Sequence, residues 1–144
     1  MKLSIIIPTY NRADMISDTL ESLVRQDFPK DDYEILVVDN ASTDNTKTIV
    51  EDWQRKTGGL VKYLFEPRHG SHYARNGAVK SAQGDILYFT DDDVIASTDT
   101  LRELIKPFEI DTNVVSATGP VVANWLIAPP LLGSSQMQQL PIIT

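Results

Sequence analysis

The 144-residue chain contains no cysteine, which excludes disulfide frameworks and thiolate metal sites at once. A cytoplasmic location fits that absence. Basic residues are also scarce: 13 Lys and Arg stand against 20 Asp and Glu, for a formal charge of -7. Proteins that hold nucleic acid neutralise its phosphates with clustered Lys and Arg, so a nucleic-acid partner is excluded. An anionic ligand would need positive charge from elsewhere, and a divalent cation held by carboxylates is one source. Long apolar runs are missing too. The N-terminal run is broken at Pro8 and is too short for a signal peptide. The richest late stretch, 121–132, has about a dozen residues and carries Pro129 and Pro130, against the roughly 20 that span a bilayer. From residue 112 onward no charge occurs at all. Residues 112–144 are therefore expected to be covered by other protein, by a membrane surface as a peripheral contact, or by self-association; left bare, they favour aggregation.

What is present is ordinary for one globular domain: 42% hydrophobic and 23% charged residues can enclose a single core. Leu3-Ser4-Ile5-Ile6-Ile7 reads as a strand buried on both faces and closed by Pro8. Met15, Ile16, Thr19, Leu20, Leu23 and Val24 recur at helical spacing, with Asn11 as a candidate N-cap. Glu34-Ile35-Leu36-Val37-Val38 repeats the strand pattern. Ser42 or Asp44 can cap a second helix marked by Ile49, Val50 and Trp53. Further strands are expected over 61–65, 85–90 and 114–118, and further helices over 71–82 and 100–108. Strands alternating with helices through short connections imply an open, mostly parallel α/β sheet with helices on both faces. No internal repeat or low-complexity segment interrupts this pattern.

In such sheets ligands bind outside the carboxyl ends of the strands. The residues there are Pro8, Thr9, Tyr10 and Asn11; Asp39 to Ser42; residues 66–70; and Asp91, Asp92 and Asp93. Three consecutive carboxylates repel one another unless partnered. Mg²⁺ and Mn²⁺ prefer oxygen ligands, and in extended chain Asp91 and Asp93 point to one side and Asp92 to the other. An acidic turn capping the next helix is the competing explanation. Asp39 can accept a hydrogen bond from a ribose hydroxyl or a base N–H, or merely organise its turn with Ser42. Arg75 can project its planar fork toward phosphate or simply face water. His69 and His72 lack a further ligand at suitable spacing and are read as loop and helix-start residues. Trp53 and Trp125 are read as core or covered surface.

Taken together, Ser4-Ile-Ile-Ile-Pro-Thr-Tyr-Asn-Arg12, Ile35-Leu-Val-Val-Asp-Asn-Ala-Ser-Thr-Asp44, Ala74-Arg-Asn-Gly77 and Gly84-Asp-Ile-Leu-Tyr-Phe-Thr-Asp-Asp-Asp93 closely resemble the family 2 glycosyltransferases. The resemblance runs from the first strand to about Val121. It implies a GT-A, Rossmann-like fold in truncated form. Residues 1–120 would bind the donor, and 121–144 would begin an acceptor-side half. It also implies a nucleoside-diphosphate sugar donor, with a UDP-sugar favoured, a Mg²⁺ or Mn²⁺ ion, and work of the kind used in cell-wall or polysaccharide biosynthesis. Pro8, Thr9, Tyr10, Asn11, Asp39, Arg75, Asp91 and Asp92 would then line the nucleotide-sugar site. Asp91 and Asp93 would hold the metal.

Such enzymes invert the anomeric centre by direct displacement, a carboxylate taking the acceptor's proton. That base belongs to a second acidic motif, and no acid follows Asp111 here. The chain alone is therefore expected to bind nucleotide and metal and to transfer sugar poorly, at the inner face of a membrane if its tail lies on one. A haloacid-dehalogenase-type phosphatase also uses Asp-x-Asp after a strand, but its motif opens the domain. A response-regulator receiver needs its acidic pair after the first strand, where this chain has Pro8-Thr9-Tyr10. A non-catalytic nucleotide-binding or interaction module is the remaining alternative.

Overall fold

The structure is a computed structural model that describes residues 2–121. The chain divides into two units, residues 1–103 and 104–144. Strands β1 (Leu3–Thr9), β2 (Tyr33–Asp39), β3 (Val61–Phe65) and β4 (Ile86–Phe89) alternate with helices α1 (Ile16–Val24), α2 (Thr46–Lys56) and α3 (Ser71–Ser81). A fourth helix, α4 (Thr100–Ile110), follows. Every strand pairing is parallel, and the order across the sheet is β3-β2-β1-β4. The chain thus builds outward from β1 to β3 and then crosses back over the sheet to lay β4 on the other side of β1. This reversal puts the switch point, where open parallel sheets form their ligand crevice, between the carboxyl ends of β1 and β4.

Helices cover both faces, as the alternation of elements predicts. Ile6, Leu36 and Val38 pack with Ala74 and Ala78 of α3, and Leu64, Ala82 and Leu87 flank them. Small side chains on α3 let it lie close to the sheet. Successive strand residues face opposite ways, so the fully buried Ile5, Ile7, Ile35 and Val37 look to the other face. There α1 and α2 supply Ile16, Leu20, Leu23 and Val50, all buried. Burial on both sides explains why β2 is apolar almost without interruption.

At the amino end of the sheet, Glu34 ties four segments together. Its Oε1 accepts from the Ser4 hydroxyl at 2.6 Å and the Gln83 N–H at 2.7 Å, while Oε2 accepts from Lys62 Nζ at 2.8 Å. Burial pushes this carboxyl up, but the bonds from Lys62, Ser4 and Gln83 outweigh that and hold it below its ordinary 4.5. A carboxylate depressed by folding stabilises fully above its unfolded value and loses that contribution as pH falls through the folded one. Glu34→Gln is therefore expected to cost roughly 1–2 kcal/mol near neutral pH. The gap to wild type should close as pH drops below about 4. Thermal unfolding of both proteins between about pH 3 and pH 7 measures it, and a gap independent of pH would contradict this role.

Two local expectations are corrected, and one is narrowed to a single residue. Asn11 does not cap α1, which begins at Ile16. Its backbone is left-handed (φ 52), a conformation asparagine tolerates, and its Oδ1 accepts from Thr43 N–H at 2.7 Å instead of from a helix amide. At α2, it is the Asp44 carboxylate rather than Ser42 that accepts from the Thr46 amide, at 3.0 Å. Residues 114–118 form no strand but run irregularly, with Val115 93% exposed. A β-branched run becomes a strand only where a neighbour supplies a ladder, and among the described residues only the four strands β1, β2, β3 and β4 are joined by ladders. Trp125 and the rest of the tail lie outside the described residues. Among the described residues, no helix is long and apolar enough to cross a membrane.

Candidate functional site

The crevice beside β1 gathers residues distant in sequence. Pro8 and Thr9 end β1, and the Thr9 hydroxyl donates to Asp92 Oδ2 at 2.7 Å across 83 positions of sequence. Arg12 Nε lies 3.6 Å from Asp92 Oδ1. From α1, the Thr19 hydroxyl donates to the Asp92 backbone carbonyl at 2.8 Å. Asp92 is thus turned inward, only 8% exposed, while Asp91 and Asp93 stay exposed. Burial pushes the Asp92 carboxyl up, with Thr9 and Arg12 pulling the other way. The alternation expected for extended chain is reached by another route, since β4 ends at Phe89 and Asp92 and Asp93 lie in a turn.

Each outer position of the crevice has its own partner. Arg75, on α3, donates through one guanidinium nitrogen to Asp91 Oδ1 at 3.1 Å and through the other to the Ser71 hydroxyl at 3.3 Å. The arginine therefore stands over the acidic turn. Tyr10 is 48% exposed and meets the His69 ring edge-on, with centroids 5.8 Å apart. Asn11 bridges the loops after β1 and β2, its backbone N–H donating to Ser42 Oγ at 2.9 Å.

Asp39 closes β2 and is almost wholly buried. Its Oδ1 accepts from the Ser42 amide at 2.8 Å, and its Oδ2 accepts from the Tyr63 hydroxyl at 2.8 Å. Burial, the bond to Asp39 and its charge push the Tyr63 phenol up, so tyrosine remains a donor to that carboxylate. Asn40 then fastens the loop after β3. Its amide donates to the Glu66 and Arg68 carbonyls at 3.1 and 2.6 Å, and its Oδ1 accepts from the Gly70 N–H at 2.6 Å. Within that loop Arg68 donates to both Glu66 oxygens at 2.7 and 2.9 Å, holding the Glu66 carboxyl down at about 2. Gly70 has φ 130, which residues with a side chain rarely adopt.

Sequence patterns locate these loops but not several residues that organise them. Arg12, Thr19, Asn40 and Tyr63 act on Asp92, Glu66 and Asp39 across the sheet. Arg12 and Asn40 carry a sequence signal, their places in the first and second motifs; Thr19 shows only helical spacing, and Tyr63 nothing beyond its strand.

Among the described residues, no three His, Cys, Asp or Glu side chains converge to hold a metal unaided. Asp91 and Asp93 offer two exposed carboxylates on one turn. That donor set suits Mg²⁺ or Mn²⁺, because such an ion takes one or two carboxylates and is completed by substrate phosphates and water. The residues present therefore fit a metal that arrives with a diphosphate.

Comparison with known proteins bears on the family and the fold. The poly(ribitol-phosphate) beta-N-acetylglucosaminyltransferase TarS of Staphylococcus aureus is 42% identical over 103 residues, spanning 72% of this chain and 18% of TarS. The crystal structure of TarS 1-349 in complex with UDP matches with a TM-score of 0.70 and 38% identity, covering 76% of this chain and 32% of that one. The mannosyltransferase PcManGT from Pyrobaculum calidifontis, in complex with GDP-Man and Mn²⁺, matches with a TM-score of 0.70 and 36% identity, over 74% of this chain and 32% of that one. The chain thus spans from just under a fifth to about a third of these relatives. Residues 4–129 match the model of Glycosyl transferase family 2. With that match covering most of the sequence, and with the parallel sheet and crevice in place, the chain belongs to glycosyl transferase family 2 and has the GT-A fold.

Proposed function

We propose that this chain forms the donor-binding part of an inverting, metal-dependent glycosyltransferase that takes a UDP-sugar. One observation carries the reading: Thr9, Arg75 and the acidic turn meet at the point where strand order reverses, with Asp39 on the same edge. The UDP bound by TarS and the Mn²⁺ beside GDP-Man in PcManGT support it. In this reading Pro8, Thr9, Tyr10 and Asn11 border the nucleoside, and Asp39 accepts a hydrogen bond from it. Asp92 supports the site from below through Thr9. Asp91 and Asp93 would hold the cation, which when bound neutralises charge growing on the departing diphosphate. Arg75 is released from Asp91 as its fork turns to phosphate oxygens. The acceptor hydroxyl attacks C1 as the bond from C1 to the diphosphate breaks. Its proton goes to a carboxylate outside the acidic turn, because Asp91 and Asp93 must stay ionised to bind metal. The polyribitol-phosphate substrate in the name of TarS supports a cell-surface polymer as the acceptor.

Calorimetric titration of UDP into the chain tests the reading. Binding is expected to tighten by about tenfold or more when Mn²⁺ is added, with GDP binding more weakly than UDP. A folded chain that binds UDP under neither condition would leave only an interaction module descended from the family.

A further inference from the structure

Helix α1 has a polar stripe as well as its apolar one, and that stripe meets the segment that follows the acidic turn. Thr19 and Ser22, three apart, share one side of the helix, and Gln26, four further on and just past its end, continues the line. The Thr19 hydroxyl donates to the Asp92 carbonyl at 2.8 Å. Ser22 Oγ accepts from the Ala96 amide at 3.0 Å. Gln26 donates to the Ser97 carbonyl at 2.6 Å, and its own carbonyl accepts from the Leu101 amide at 3.1 Å. The Asp27 amide then reaches the Thr98 carbonyl at 2.7 Å.

All but the Leu101 bond, which reaches the start of α4, fall on a segment with no ladder or helix of its own between β4 and α4. Thr19 and Gln26 are 1% and 3% exposed, so their bonds do not compete with water. At its start the segment is gripped from two sides, since Thr9 on β1 holds the Asp92 side chain and Thr19 on α1 holds its backbone. The peptide plane fixed by Thr19 lies between the two exposed carboxylates. Mg²⁺ demands near-ideal octahedral geometry, so the direction of those carboxylates governs how well a metal and diphosphate are held.

We propose that Thr19, backed by Ser22 and Gln26, is a positioning residue: by holding the Asp92 carbonyl it aims Asp91 and Asp93 and sets the metal-dependent part of donor affinity. The stripe touches neither nucleotide nor metal. It acts by keeping the acidic turn in its binding geometry before the ligand arrives, which reduces the ordering cost at binding. This rests on the donor-site reading given above.

The test compares Thr19→Val, which keeps the shape and loses the hydroxyl, with Thr19→Ser, which keeps the hydroxyl. UDP is titrated into each with and without Mn²⁺, and amide hydrogen exchange is followed over residues 92–101. Thr19→Val is expected to lose roughly fivefold of the Mn²⁺-dependent gain, the size of one net hydrogen bond. Its metal-free affinity should be unchanged and exchange at residues 92–97 faster, with Thr19→Ser restoring both. A full Mn²⁺ gain in Thr19→Val, or equal losses with and without metal, would overturn the positioning role. If wild-type affinity for UDP ignores Mn²⁺, the donor-site reading fails instead. The proposal is then decided by exchange alone, and unchanged protection of residues 92–97 in Thr19→Val overturns it.

Discussion

The double substitution Asp91→Asn, Asp93→Asn is expected to make UDP affinity the same with and without Mn²⁺, abolishing a gain of tenfold or more, about 1.4 kcal/mol. The two positions carry the exposed carboxylates of the acidic turn, and amides are poor ligands for a small divalent ion beside phosphate. The fold should survive, because neither side chain is buried. Asp92, which is buried and held by Thr9 and Arg12, is left untouched. The sign of the metal-free affinity is also informative. In the wild-type chain Asp91 occupies Arg75 at 3.1 Å, so its neutralisation frees the guanidinium for the diphosphate. Metal-free binding of UDP should therefore hold or strengthen while the Mn²⁺ gain disappears. A Mn²⁺ gain that persists in the double variant would place the metal elsewhere in the chain.

Gly84→Ala is expected to be the most destabilising single-methyl substitution, costing about 3 kcal/mol or more. A Cβ at Gly84 would come within 2.5 Å of the Ser4 backbone nitrogen and 2.7 Å of the Leu3 carbonyl carbon. Both atoms belong to the buried strand β1, so nothing flexible can move aside. The same approach lets the Gly84 amide donate to Ser4 Oγ at 2.9 Å and positions Asp85 and Ile86 to donate to the Lys2 carbonyl at 2.8 and 3.1 Å. Those contacts set the register of β4, and β4 delivers the acidic turn to Thr9. Gly58→Ala is the control. Its Cβ would meet nothing within 4 Å, but φ is 61, so only about 1 kcal/mol of backbone strain is expected. Urea unfolding of both variants separates crowding from strain, and similar midpoints would show that the close approach does not matter.

Much of the proposed donor site is legible in the order of residues along the chain. Pro8, Asp39 and Asp91 each stand at or just beyond the carboxyl end of a short apolar run, so the pattern assigns them to one edge. The same order of motifs points to the family that the comparison finds. The boundary of α1 is not legible in this way. Residues 12–15 make a turn whose carbonyl at Arg12 accepts from both the Met15 and Ile16 amides, and the apolar spacing continues through that turn. The strand expected over 114–118 fails for a related reason, because Val114 and Val115 satisfy a local preference that no neighbouring ladder completes.

Sequence by itself determined which residues alternate, which cluster at strand ends, and that the sheet is parallel. Side-chain periodicity within an element is a local property and survives in a one-dimensional string. Only the tertiary structure decided that β4 lies beside β1 rather than beyond β3, and hence that Thr9 reaches Asp92. It alone divided the three aspartates into one buried and two exposed. It also set Thr19 against the acidic turn, and Ser22 and Gln26 against the segment that follows it. Those outcomes depend on which crossover packs on which face, and that choice is made by burial across the whole sheet rather than by any neighbouring residue.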